Sequence, residues 1–184
     1  MAECSWAHQS PELQVYHDHI WGKPVTDEQQ LFKRLCLETY QAGLSWQTVL
    51  NKQAAFAEDF HDFELVKVAA MTTKELEQIL QDPRIIRNRL KIAATVNNAQ
   101  AVLRLDSEGE FSSLSTYLWH FVDGQPLIAY PMTEQEVPST SPLAQQIARD
   151  LKRRGFKFVG PTIVYSWLQA VGIVNDHLVG CPAK

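Results

Sequence analysis

The stretch RRGFKFVGPTIV, residues 153–164, decides the fold that this sequence predicts. Ser141-Pro142 begins an amphipathic helix upstream of it, and Gly155 ends that helix. Gly160-Pro161 begins the next helix, because proline suits the first helical position, where a backbone N–H would have no partner. The pattern therefore predicts two helices joined by a short turn that carries glycine, a hairpin that spans about 149–172.

Basic side chains surround this turn: Arg149, Lys152, Arg153, Arg154 and Lys157. Backbone N–H groups at the start of a helix bind anions, and basic side chains attract phosphate. The pattern is typical of a helix-hairpin-helix element, which holds the DNA backbone without reading bases. The alternative is a solvated basic face followed by an ordinary turn between helices. The residue types alone leave both interpretations open.

The remainder of the chain also predicts helices, and no segment has the alternating pattern of a strand. Four further helix starts are indicated by capping residues or by proline, at Asp27, Ser45, Thr72 and Asp82-Pro83. Residues 123–138 hold a glycine and three prolines and predict a loop that divides the helices into two lobes. We expect an all-α fold.

The composition is that of an ordinary globular protein. The chain has 184 residues, of which 45% are hydrophobic and 21% are charged, and we expect a single domain over residues 1–184. No signal peptide or membrane span is indicated, and three widely spaced cysteines do not form a disulfide framework. We therefore expect a cytoplasmic protein. The net charge of −4 argues weakly against a nonspecific coat for nucleic acid.

Two pairs of candidate metal ligands lie at opposite ends of the chain. Cys4 and His17 are near the start, and His177-x-x-x-Cys181 is near the end. Two thiolates and two imidazoles are ligands that tetrahedral zinc prefers, and a complete set of four makes a zinc structural, whereas three ligands and a water imply hydrolysis. The spacing permits a metal site without establishing one. The alternative is a stray thiol and an ordinary histidine.

Aromatic residues are concentrated in the first quarter of the chain, at Trp6, Tyr16, Trp21 and Trp46. Such a cluster either packs in a core or holds a flat ligand. Glu38 lies three residues after Leu35 and so falls near the apolar face of its helix. A buried carboxylate is costly without a partner, so Glu38 is a candidate to bind a cationic or hydrogen-bond-donating ligand. The alternative is a glutamate that faces solvent.

Together these segments resemble the DNA-3-methyladenine glycosylase I (Tag) family, from Cys4 to Cys181. The resemblance rests on Tyr16-His17-Asp18-x-x-Trp21-Gly22, Glu38, Gln41-Ala42-Gly43-Leu44-Ser45-Trp46, Lys67-Val68-Ala69-Ala70-Met71, Ile85-Ile86-Arg87-Asn88-Arg89, Arg153-Arg154-Gly155-Phe156-Lys157-Phe158-Val159-Gly160 and Val174-Asn175-Asp176-His177. It implies a helix-hairpin-helix glycosylase fold in which one structural zinc ties the terminal segments together. The zinc ligands that it implies are Cys4, His17, His177 and Cys181.

The resemblance also implies the residues that act on a base. Glu38 is the implied catalytic residue, and Tyr16, Trp46, Trp6 and Trp21 form the implied base pocket. Gly43-Leu44-Ser45 would enter the gap left by a flipped nucleotide, and the hairpin residues Lys157, Val159, Gly160 and Thr162 would contact the DNA backbone. The implied partners are alkylated duplex DNA and free 3-methyladenine as product, and we expect a monomer.

The implied reaction is hydrolysis of the glycosidic bond of 3-methyladenine in base excision repair. Many helix-hairpin-helix glycosylases have a catalytic aspartate two residues before a histidine, and the matching residue here is Asn175. The general base therefore stays open, and a noncatalytic protein that binds alkylated or abasic DNA is the alternative. Because no lysine follows Gly160-Pro161, where a lyase nucleophile is expected, we expect a monofunctional enzyme.

Overall fold

The computed structural model describes residues 4–107 and 109–184, and helices dominate this part of the chain. This confirms the prediction of a helical fold. The ten α-helices are α1 (Pro11–His19), α2 (Glu28–Gln41), α3 (Trp46–Leu50), α4 (Gln53–Asp59), α5 (Leu65–Ala69), α6 (Thr73–Ile79), α7 (Arg89–Ser107), α8 (Leu114–His120), α9 (Pro142–Arg153) and α10 (Pro161–Ala170). Short 3₁₀ turns cover Ser5–Gln9, His61–Phe63 and Glu134–Glu136.

Capping residues begin the helices where the sequence predicts it. Asp27 accepts a hydrogen bond from the backbone N–H of Gln30 at the start of α2, at 2.9 Å. Ser45 and Ser141 cap α3 and α9 in the same way. Thr72 and Glu75 form the predicted capping box before α6. These four helix starts are confirmed.

The prediction of a helix start at Asp82-Pro83 is wrong. A carboxylate oxygen of Asp82 accepts the backbone N–H of Arg84 at 2.7 Å, which holds a turn in place of a helix. The side chain of Asn88 then accepts the N–H groups of Leu90 and Lys91, both at 3.1 Å. Helix α7 therefore begins at Arg89, because Asn88 caps it there.

The core is built where α2 and α9 pack against α10. Trp167 of α10 is fully buried, and its indole N–H donates to the backbone carbonyl of Leu31 on α2 at 3.0 Å. Burial of each large apolar side chain stabilises the fold by about 1.5–3 kcal/mol. This packing fixes the face of α2 that carries Glu38 beside α10.

The segment after α1 runs closely against the segment after α10, and two glycines permit the contact. Gly172 has φ +71°, and a Cβ there would lie 2.2 Å from the carbonyl carbon of Lys23. Gly22 has φ +71°, and a Cβ there would lie 2.8 Å from the ring of His177. Only glycine fits such left-handed positions without strain or overlap. The two ends of the chain are thereby held together.

The predicted loop between α8 and α9 contains a short strand that the sequence did not indicate. Strand β1 (Leu127–Ile128) pairs in parallel with β2 (Val174–Asn175), with Leu127 opposite Val174. The pairing ties this loop to the segment that follows α10. Within the described residues, no helix combines the length and apolar character needed to cross a membrane.

Candidate functional site

A cavity of about 160 Å³ lies where α1, α2, α3 and α10 meet. Its lining residues are Trp6, Tyr16, Trp21, Glu38, Gln41, Trp46, Ser166 and Gln169. Pockets for drug-sized ligands span about 300–1,000 Å³, so this cavity suits one small group. The cavity brings together all five residues that the sequence and the resemblance assigned to a base pocket.

Glu38 projects from α2 into this cavity and is only 3% exposed. Among the described residues, its Oε2 atom has no hydrogen-bond partner. Burial raises the pKa of Glu38 to about 8, because a charged carboxylate is poorly solvated there. The alternative interpretation of Glu38 as a glutamate that faces solvent is therefore excluded. A buried acid without a protein partner is a candidate to bind a ligand.

The aromatic rings form the walls of the cavity. The ring centroids of Tyr16 and Trp46 are 5.1 Å apart, and those of Trp6 and Trp21 are 5.3 Å apart in an edge-to-face contact. Burial, and then the nearby Glu38, raise the pKa of Tyr16, so the phenol keeps its proton. The indole N–H of Trp46 is buried without a partner in the described part of the chain. Flat apolar walls with a few unpaired polar atoms suit an aromatic ring that carries polar groups.

Three of the four candidate metal ligands converge beside the cavity. The ligand atoms of Cys4, His17 and Cys181 all lie within 4.8 Å of one another, and all three residues are buried. Nε2 of His17 is 3.5 Å from the Cys181 sulfur, while its Nδ1 is 2.7 Å from the carboxylate of Asp18. A histidine ligand that bonds a carboxylate through its other nitrogen is typical of zinc sites. Two thiols and one imidazole therefore fit zinc in donor type and placement.

His177 is adjacent to this cluster but is not oriented as its fourth member. Its ring centroid is 4.7 Å from that of His17. Its Nδ1 is 2.7 Å from the side-chain oxygen of Asn175, and its Nε2 is 3.3 Å from the backbone carbonyl oxygen of His17. The side chain of Asn175 is thus engaged by His177 and does not line the cavity.

The segment Gly43-Leu44-Ser45 connects α2 with α3 at the edge of the cavity. Gly43 has φ +83°, which lets the chain turn after α2. Leu44 is 44% exposed, an unusual position for a large apolar side chain at a helix corner. The ammonium group of Lys91 donates to the backbone carbonyls of Tyr40 and Ala42, at 3.0 and 2.8 Å. The end of α2, and with it the exposed Leu44, is therefore held in one place.

The predicted hairpin is present between α9 and α10. Lys157 and Thr162 are exposed, whereas the side chain of Val159 is buried, so Val159 offers only its backbone to a ligand. Gly160 caps α10 without a side chain. The side chain of Asn98 bonds both the N–H and the carbonyl of Lys157, at 2.8 and 3.0 Å, and so fixes the turn.

Within the described residues, two of the five basic residues around the hairpin have acidic partners. Arg154 donates to Asp150 at 2.6 Å and to Glu110 at 2.7 Å. The guanidinium group of Arg153 pairs with the same Asp150. The basic face is therefore smaller than the sequence suggests, and its exposed members include Arg149, Lys152 and Lys157.

Comparison with known proteins shows the family to which the chain belongs. Residues 6–184 match the family model described as methyladenine glycosylase. The chain belongs to the methyladenine glycosylase family. It is 46% identical over 181 residues to DNA-3-methyladenine glycosylase 1 of Escherichia coli K12, which covers 98% of this chain and 96% of that relative.

Solved structures of family members superpose closely on this chain. One concerns 3-methyladenine recognition by 3-methyladenine DNA glycosylase I of Staphylococcus aureus. It has 41% identity and a TM-score of 0.94, and covers 99% of this chain and 96% of that one. Another is a variant of 3-methyladenine DNA glycosylase I in complex with 3-methyladenine, with 40% identity, a TM-score of 0.95, and coverage of 100% and 98%.

Sequence reasoning did not assign Gln41, Ser166 and Gln169 to the cavity, although all three line it. Ser166 and Gln169 lie on α10, which is otherwise largely apolar, and its side chains include the core residues Trp167 and Leu168. A polar side chain in an apolar helix is the signal that could have found them, because a buried polar group needs a partner.

Proposed function

We propose that this chain excises 3-methyladenine from alkylated duplex DNA by hydrolysis of the glycosidic bond, as the first step of base excision repair. The observation that carries the proposal is the small aromatic cavity with a single buried carboxyl group, Glu38, that lacks a protein partner. Membership of the methyladenine glycosylase family and the names of its relatives support the substrate. The alternative without catalysis, a protein that only binds alkylated or abasic DNA, rests on Asn175 at the position of the catalytic aspartate.

The charge of the substrate explains why one carboxyl group in a dry cavity is useful. Methylation of adenine at its third ring nitrogen makes the base cationic while it is bound to deoxyribose, so it departs as a neutral molecule. A cation beside Glu38 lowers the pKa of this carboxyl from about 8, and the ionised form then pairs with the base. Because the charge develops toward the sugar as the bond breaks, Glu38 also stabilises an oxocarbenium-like transition state.

The aromatic walls select the flipped base. Trp46 and Tyr16 give it a surface for stacking, and Trp6 and Trp21 close the cavity on another side. Glu38 accepts a hydrogen bond from the exocyclic amine of the adenine. An undamaged, neutral base gains no charge pairing with Glu38, so the damaged base is favoured.

Two surfaces position the DNA in this proposal. The exposed Leu44, with Gly43 and Ser45, fills the gap that the flipped nucleotide leaves in the base stack. Lys157, Gly160, Thr162 and the backbone of Val159 hold the phosphates at the start of α10. These contacts supply the energy needed to extrude the base and do not depend on the sequence around it.

We propose monofunctional hydrolysis, with Glu38 as the catalytic residue through its charge. Asn175 occupies the position of the catalytic aspartate of many helix-hairpin-helix glycosylases, but its side chain bonds His177 outside the cavity. Helix α10 begins with Pro161 and Thr162 and has no lysine that could attack the sugar carbon. The product is then an abasic site in an uncut strand.

We propose that one structural zinc is held by Cys4, His17 and Cys181, and that the neighbouring His177 becomes the fourth ligand when its ring turns from its present contacts with Asn175 and the backbone of His17. A full set of four protein ligands leaves no position for a reactive water, so the zinc supplies folding energy and no chemistry. Because Tyr16 precedes His17 directly, such a site would fix one wall of the cavity. On this proposal residues 1–184 act as one domain, and as a monomer.

The test is incubation of the zinc-loaded protein with methylated duplex DNA and chromatography of the released bases. We expect free 3-methyladenine and an alkali-labile, uncut strand. Folded protein that binds the lesion tightly and releases no base would contradict the proposal and favour the noncatalytic alternative. Activity that follows an exchangeable metal-bound water would instead indicate a zinc hydrolase.

A further inference from the structure

One wall of the cavity carries the side-chain amide of Gln169, and a hydrogen bond to a buried residue outside the cavity fixes its orientation. Gln169 lies on α10, and its Nε2 donates to Oδ2 of the buried Asp176 at 2.7 Å. The hydroxyl of Tyr165 donates to the same oxygen at 2.6 Å. The same carboxylate oxygen is the acceptor in both contacts. Gln169 must therefore turn its nitrogen toward Asp176 and its carbonyl oxygen away from it.

The carbonyl oxygen of Gln169 is available to a ligand. Gln169 lines the cavity, and its Oε1 bonds no other residue of the described chain, nor is it sealed off in the interior. The other possible acceptors of the cavity can adapt, because the hydroxyls of Tyr16 and Ser166 rotate, the amide of Gln41 can present either end, and Glu38 can hold or release a proton. The indole N–H groups only donate. Oε1 of Gln169 can only accept. It is thus the fixed acceptor of the site.

We propose that Gln169, held by Asp176, is a specificity-determining residue that prefers a base with an exocyclic amine over one with a carbonyl at the same ring position. This inference rests on the proposed function. Adenine bears two N–H donors at position 6, where a 6-oxopurine bears an acceptor. A carbonyl placed against Oε1 leaves two desolvated acceptors unpaired, which a site built for hydrogen bonding rejects strongly. Asp176 acts through Gln169 and is a positioning residue.

The direct test compares free 3-methyladenine with free 3-methylhypoxanthine by calorimetry on the zinc-loaded full chain. The second base carries the carbonyl at position 6. In Gln169→Met, a side chain of similar length without an acceptor, we expect 3-methyladenine to bind about tenfold more weakly. We also expect the ratio of the dissociation constants of the two bases to fall by about tenfold or more. An unchanged preference would overturn the proposal.

A second pair of variants tests the role of Asp176. Asp176→Leu also removes the acceptor of the Tyr165 hydroxyl, so it is combined with Tyr165→Phe, and Tyr165→Phe alone is the matched control. We expect the double variant to narrow the preference, because the amide of Gln169 is then free to turn, and the control to keep it. Equal preference in both proteins would contradict the positioning role. If the double variant does not fold, Gln169→Met decides the inference.

Excision by the unmodified protein separates this inference from the proposed function. Failure to release 3-methyladenine from methylated DNA would remove the proposed function itself. If the protein releases 3-methyladenine and Gln169→Met keeps the same preference between the two bases, only the inference about Gln169 is contradicted.

Discussion

The aromatic cavity and the cluster of Cys4, His17 and Cys181 share helix α1 and differ in how their polar groups are satisfied. Tyr16 and His17 are consecutive residues of α1, but Tyr16 faces the cavity and His17 faces Cys181. In the cluster the imidazole of His17 has a partner on each side, Asp18 and Cys181. In the cavity Oε2 of Glu38 has none in the described chain. A satisfied network stabilises a structure, and an unsatisfied buried group indicates a ligand.

The largest expected effect is loss of a cluster ligand. Cys181→Ala should lower the free energy of unfolding of the zinc-loaded protein by more than about 4 kcal/mol, because metal binding is coupled to folding. Denaturant titration with and without a chelator measures it. The matched control is Cys36→Ala, since Cys36 is buried outside the cluster. A chelator should destabilise the control and leave the stability of Cys181→Ala unchanged. Equal responses of the two variants to the chelator would show that the cluster does not bind the metal.

The pH dependence of stability tests the other region. Burial raises the pKa of Glu38 to about 8 in the folded protein. The contribution of Glu38 to the stability of the fold is therefore fully present below the usual carboxyl pKa and is lost as the pH rises through 8. At pH 9 we expect Glu38→Gln to be more stable than the unmodified protein by up to about 4 kcal/mol. At pH 5 the two should differ little. Glu64→Gln, at an exposed glutamate, should show no such trend. A parallel pH response of the two variants would contradict burial of the Glu38 charge.

The close approach of the segment after α1 to the segment after α10, which lies beside both regions, depends on Gly22. Gly22→Ala should destabilise the fold by about 3 kcal/mol, because the added Cβ meets the ring of His177 at 2.8 Å in a left-handed conformation. Gly180 has a similar φ of +82° and nothing within 4 Å of its added Cβ. Gly180→Ala is therefore the control that carries only the conformational cost, about 1–2 kcal/mol. Thermal unfolding of both variants checks the difference, and equal losses would argue against the close approach.

The smallest expected effect concerns the exposed loop beside the cavity. Leu44→Ala should slow excision from duplex DNA about tenfold, since the wedge that fills the gap is lost. Binding of free 3-methyladenine should not change, because Leu44 does not line the cavity. Val66→Ala, at another exposed apolar residue, serves as the control. Slower excision in the control, or weaker binding of the free base by Leu44→Ala, would place Leu44 elsewhere in the mechanism.

The sequence predicted features that are encoded locally. Asp27, Ser45, Thr72 and Ser141 begin helices because each side chain bonds an amide only three residues away. The turn at Asp82 was missed although it too is local, because a proline at position 83 equally fits a helix start. Capping signals are therefore reliable where no other residue competes for the same amides.

Features that join distant segments were beyond the sequence. The hydrogen bond from Trp167 to Leu31 depends on how α10 packs against α2, and the contact of His177 with the backbone of His17 joins positions 160 residues apart. No spacing rule indicates which nitrogen of a histidine faces a cluster. The role in base binding that we propose for five cavity residues came from resemblance to a family, since tryptophans spread over residues 6–46 equally predict an ordinary core.

The most direct test of the central claim is the rate of 3-methyladenine release from methylated duplex DNA by the unmodified protein and by Glu38→Gln, at equal zinc loading. We predict that Glu38→Gln folds normally and releases the base about 100-fold more slowly or worse, because it lacks the charge that pairs with the cationic base. Glu64→Gln should release it at the unmodified rate. Equal rates for all three proteins would show that the buried carboxyl group of Glu38 does not act in the reaction.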